Sequence, residues 1–103
     1  MVRVVITGQG TINALGSDVA STVDAMERGQ SGISLMDFPN VDRLNVKIGG
    51  QIKNFDPKVY FDRQKITFYD RFTQFALIAA KEAILQSGLV FEGKLSQYSG
   101  VIF

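Results

Sequence analysis

The chain has 103 residues, 46% of them hydrophobic and 20% charged, with a formal net charge of +1 and neither cysteine nor histidine. That length suits one domain, residues 1–103 without an internal boundary, and the composition is that of a globular protein rather than a disordered one. The near-zero charge gives no strong pull toward nucleic acid or a membrane surface. Without cysteine there is no disulfide, no thiolate nucleophile and no zinc-finger site, and without histidine the commonest acid–base group near neutral pH is missing.

Taken in order, Val2 to Ile6 is nearly all β-branched and apolar, with Arg3 the exception. The composition predicts a strand buried on both faces. The run is too short for a secretory signal, so a cytoplasmic location is the default expectation. Thr7-Gly8-Gln9-Gly10 turns the chain. Ser17 or Asp18 is placed to cap a first helix ending before Gly29, with Val19, Val23 and Met26 on its inward face. Gln30 to Leu44 has no sustained period and reads as an irregular connection. Val46, Ile48 and Ile52 alternate with polar or glycine positions, predicting a half-exposed strand over 46–53 that Gly49-Gly50 weakens or bulges. Asp56-Pro57 opens a short helical turn, proline being tolerated where a helix begins. The end, Tyr98-Ser-Gly-Val-Ile-Phe103, reads as a second buried strand.

The organising stretch is Thr67 to Gly88. The pattern predicts one long helix, with Thr67 as N-cap, Asp70 as its capping-box partner and Gly88 as the left-handed closing residue. Phe72, Ala76, Ala79 and Ala83 form an apolar stripe at helical spacing. From Phe75 to Ala80 there is no polar residue, so this part of the helix is apolar on every face and expected to be buried. It is too short to span a membrane. Apolar strands flanking helices favour a layered α/β arrangement, part of its sheet parallel. Such a sheet needs helices on both faces, and an apolar strand at Val101-Ile102-Phe103 needs neighbours, so the chain reads as the N-terminal part of a larger fold.

The chemistry-bearing patterns are thin. Gly8-x-Gly10 after a strand suggests a dinucleotide fingerprint, yet Asn13 stands where the third glycine belongs, and no strand with a ribose-binding acid follows. A glycine turn is the stronger reading. Asp56, Asp62 and Asp70, with Arg63, Lys65 and Arg71, read as helix caps and solvated ion pairs rather than an acid–base pair. Phe68, Tyr69, Phe72 and Phe75 read as core, with a stacking or acyl pocket the lesser alternative, held mainly by Phe68 and Tyr69.

Several blocks, however, stand together in order: Val4-Val5-Ile6-Thr7-Gly8-Gln9-Gly10, Leu15-Gly16, Gly29-Gln30-Ser31-Gly32-Ile33, Asn54-Phe55-Asp56-Pro57 and Asp70-Arg71-Phe72-Thr73-Gln74-Phe75-Ala76. With Ser87-Gly88-Leu89 and Gly100-Val-Ile, they make the chain resemble the N-terminus of the β-ketoacyl-[acyl-carrier-protein] synthases. The elongating, type II-like enzymes of fatty acid synthesis are the nearest in look. The resemblance implies a thiolase-like α/β/α/β/α layered fold containing a buried long helix, and a homodimer. It also implies a decarboxylating Claisen condensation of an enzyme-bound acyl chain with malonyl carrier protein. In that family a cysteine nucleophile and two histidines carry the chemistry, and none has a counterpart among these residues. No catalytic, cofactor-binding or metal-binding residue is therefore assigned, and no cofactor is implied.

The family's docking segment for the acidic acyl carrier protein lies just before its Met-Asp-Arg-Phe. Here that segment is Arg63-Gln64-Lys65-Ile66-Thr67-Phe68-Tyr69, in which only Arg63 and Lys65 are basic. These two are the candidate docking residues. The reading that follows is the N-terminal portion of a β-ketoacyl synthase, inactive by itself. The alternatives are a non-catalytic interaction or scaffold module of the same ancestry and, last, a nucleotide-binding unit.

Overall fold

The computed structural model describes residues 1–102. Helix α1 spans Val19–Glu27, and Asp18 caps it by accepting from the Ser21 backbone N–H while the Ser21 hydroxyl stands against the Asp18 N–H, a reciprocal capping box. The side chain it buries is Ala25, at 1% exposure. Val23 and Met26 are exposed, contrary to the expected inward face. Ala25 has the small side chain that permits close approach, and the longer Val23 and Met26 find no facing element here to cover them.

Two short strands, β1 (Ile33–Leu35) and β2 (Ile48–Gly50), pair antiparallel. Ile33 faces Gly50, Ser34 faces Gly49 and Leu35 faces Ile48. β1 falls in the stretch expected to be irregular, because three residues are too few to show a period. β2 is shorter than the expected 46–53 strand. The two glycines sit in unbroken register rather than in a bulge, and Gly49 lies under the Met36 side chain, so the missing Cβ makes room for the sulfur. This two-stranded ribbon is the sheet among the described residues, and it holds no parallel pair. The turn at Pro57–Val59 forms as expected, with the Asp56 carboxylate accepting from the Lys58 N–H at 3.0 Å.

The long helix is divided. Helix α2 runs Arg63–Phe68 and α3 runs Arg71–Ser87, separated by Tyr69 and Asp70 in extended conformation. Thr67 is therefore no N-cap. It lies inside α2, its hydroxyl donating to the Arg63 carbonyl. The caps are aspartates: Asp62 accepts from Lys65 N at 2.9 Å, and Asp70 from Thr73 N at 3.2 Å. An aspartate preceding each segment supplies its own N-terminus, so two short helices compete well with one long one. The buried Gln74 side chain secures the break by donating to the Tyr69 carbonyl at 3.0 Å. Gly88, at φ +67°, closes α3 in the left-handed conformation, as expected.

Both expected buried strands are missing from the sheet. Val2, Val4 and Ile6 are each at least 90% exposed, and Tyr98, Val101 and Ile102 lie between 79% and 96%. An extended apolar segment acquires backbone partners only from a neighbouring strand, and among residues 1–102 none lies alongside. Phe103 falls outside the described residues. A further short helix, α4 (Gly93–Gln97), precedes this end. The expected burial of α3 is confined to one face: Ile78 and Gln74 are buried, while Phe72, Leu77, Ile84 and Leu85 face outward. No described helix is long and apolar enough to cross a membrane.

Candidate functional site

The best-built part of the molecule is the contact between the Gly8–Thr11 segment and α3; the turn expected at Thr7-Gly8-Gln9-Gly10 is not formed, and the chain runs through these residues without turn or bend. Residues Gly8 to Thr11 run along the helix in the opposite direction to it. A Cβ on Gly8 would overlap the Ala83 carbonyl oxygen, and one on Gly10 would overlap that of Ala79. Gly8 and Gly10 and the alanines of the stripe are thus halves of one close approach between main chains. Side chains of α3 then fasten the segment: Gln86 Oε1 accepts from the Gln9 N–H at 2.7 Å, and Glu82 Oε2 from the Thr11 N–H at 2.9 Å. The other oxygen of Glu82 accepts from the Val19 N–H at 2.8 Å, at the first residue of α1. One carboxylate therefore joins three segments and satisfies a helix N–H that has no partner within its own helix. Sequence reasoning missed Glu82. Its only signal was position, a single acid following an apolar run one helical turn before Gln86.

Asn13 is the hub of the loop that follows. Its amide nitrogen donates to the Thr11 and Thr22 hydroxyls, each at 3.0 Å, and its Oδ1 accepts from the Leu15 and Gly16 N–H groups. In a dinucleotide site, main-chain N–H groups of such a turn would face a pyrophosphate. Here those of Gln9, Thr11, Leu15 and Gly16 are taken by protein side chains. The glycine-bearing segment packs against a helix and offers no anion cradle.

The mixed-charge stretch does not converge either. Asp56, Asp62 and Asp70 each cap a separate helical segment. Lys65 reaches back to the Asp62 carboxylate at 3.7 Å, an exposed pair. Arg71 lies 5.6 Å from the ring centres of both Phe55 and Phe75, which meet edge to face at 4.9 Å. Among the described residues no group of histidine, cysteine, aspartate and glutamate is placed to hold a metal ion. Ser21, by its hydroxyl and then its backbone N–H, holds the Asp18 carboxyl below the usual carboxylate range. That is the electrostatics of a cap, at the surface.

The candidate docking residues both lie on α2, Arg63 at its first position and Lys65 two residues on, both exposed. Phe68, 85% exposed, ends the same helix and meets Tyr69 edge to face at 6.2 Å. A shallow hollow of about 290 Å³ is lined by Asp62, Gln64, Lys65, Phe68 and Tyr69. Lys65, paired with Asp62, thus shares this hollow with the outward Phe68 ring, and Arg63 stands at the start of the same helix. The aromatic residues expected as core divide in exposure. Of the four, Tyr69 and Phe75 are half-buried and Phe68 and Phe72 exposed, while ring contacts run from Phe75 through Phe55, Tyr60, Phe61 and Tyr69 to Phe68.

These elements define a mixed α/β chain in which one helix is clasped by a glycine-bearing N-terminal segment. The chain belongs to the β-ketoacyl synthase family, matching the family description "Beta-ketoacyl synthase, N-terminal domain" over residues 1–102. It is 33% identical over 100 residues to 3-oxoacyl-[acyl-carrier-protein] synthase 2 of Staphylococcus aureus strain MRSA252, across 97% of this chain and 24% of that protein. The chloroplastic 3-oxoacyl-[acyl-carrier-protein] synthase I of Arabidopsis thaliana is 33% identical over 87 residues, 84% of this chain and 18% of that protein. The chain spans about a quarter of the length of the first of these relatives, 24%, and 18% of the second. The resemblance seen in the residue blocks is thus confirmed at the level of the family.

Proposed function

We propose that these residues form the N-terminal structural part of an elongating β-ketoacyl-[acyl-carrier-protein] synthase of fatty acid synthesis. In that reading the assembled enzyme performs the decarboxylating condensation, and residues 1–103 supply the clasped helix and two strands of a layered, partly parallel α/β/α/β/α sheet. The observation that carries the reading is the amount of open apolar surface. The accessible area is 8747 Å² for 11.4 kDa, whereas a folded monomer of that mass exposes on the order of 5,800 Å². The radius of gyration is 17.0 Å, against about 13 Å for a compact domain of this length. The excess of roughly 3,000 Å² is several times the area one partner buries in a standard interface of about 800 Å² per side. The large side chains left open include Val2, Val4, Ile6, Phe72, Leu85, Val101 and Ile102, so the cover these need is apolar. Val2 to Ile6, the outer face of α3 and Val101-Ile102 are the surfaces that the rest of a synthase fold, and its homodimer partner, would occupy.

A free-standing scaffold module would need its own closed core, and the buried apolar side chains here are Ala25 and Ile78. The synthase reading is therefore preferred. In it, acyl carrier protein docks against α2 through Arg63 and Lys65 beside Phe68. The support is their joint exposure on one short helix.

The deciding experiment is a condensation and acyl-labelling assay on the 103-residue chain, alone and mixed with the remaining three quarters of a homologous synthase. No turnover and no covalent acyl adduct is expected from the chain alone, with condensation restored in the mixture. Turnover by the isolated chain would overturn the proposal.

A further inference from the structure

We draw no further inference here: the strongest candidate, the open cleft of about 410 Å³ between the loop at Ile12–Ser17 and the segment at Ile52–Tyr60, has no buried unpartnered polar group aimed into it, and nothing in the structure shows what would fill it.

Discussion

The Gly10 α-carbon lies so close to the Ala79 carbonyl oxygen that no methyl group fits between them. Gly8 stands in the same relation to Ala83. The consequence is a graded glycine series. Gly8→Ala and Gly10→Ala should each destabilise the chain, by about 1–3 kcal/mol as for an overpacked core, because main chain must shift to admit the Cβ. Gly50→Ala should cost less, since its Cβ would meet only the Ala14 and Ile33 side chains at ordinary contact distances of 3.7 and 3.8 Å and it has no left-handed strain. Urea unfolding of the assembled enzyme, compared across the three variants, reads the order. Equal effects at all three positions would refute the packing account.

Glu82 should behave as a two-pronged fastener. Glu82→Ala leaves the Thr11 and Val19 N–H groups without their acceptor, and hydrogen bonds to charged groups contribute about 1.5–3 kcal/mol each. Glu82→Gln keeps one acceptor oxygen, so its loss should be close to half that of alanine. Amide hydrogen exchange at Thr11 and Val19 provides a local readout: faster exchange at both is expected in the alanine variant and at one in the glutamine variant.

The two aspartate caps replace the single threonine cap expected from the sequence. Asp70→Ala should cost about 1 kcal/mol, the usual loss of an N-cap, whereas Thr67→Ala, inside α2, should cost less. Thermal unfolding of the two variants side by side distinguishes them. A larger loss at Thr67 would favour one continuous helix.

Acidification bears on the Asp18 cap. Its carboxyl is held below the ordinary value by Ser21, so the folded state binds this proton less readily than the unfolded chain does. The stabilisation it gives is present in full above the unfolded value of about 3.9 and is lost as pH falls through the lower folded value. NMR titration of the α1 amides should show the capped Ser21 N–H shift in that acid range, and Asp18→Asn should abolish the step.

Docking through α2 predicts a different pattern. Arg63→Glu with Lys65→Glu should weaken association with acyl carrier protein roughly tenfold or more, since like charges then face an acidic partner. Phe68→Ala should also weaken it, with little change in salt dependence. Neither change should alter unfolding, because all three side chains are exposed. Unchanged affinity in both variants would remove α2 from the docking surface.

The sequence by itself determined the features that are local. The α1 cap at Ser17 or Asp18, which the structure places on Asp18, the proline-led turn after Asp56 and the left-handed closure at Gly88 follow from side-chain hydrogen bonding and from glycine's freedom at positive φ, which involve only neighbours in the chain. Its ordered blocks were also enough to reveal the family. What sequence periodicity could not reach depends on which segments meet. The Tyr69–Asp70 break rests on the Gln74 side chain as well as on Asp70, and the role of Gly8 and Gly10 appears only once α3 lies against them. Glu82 joins residues 71 and 63 positions away in the chain. Strands are the extreme case. Val2 to Ile6 has the composition of a buried strand, but burial and pairing belong to the neighbour as much as to the segment, and residues 1–102 supply no such neighbour.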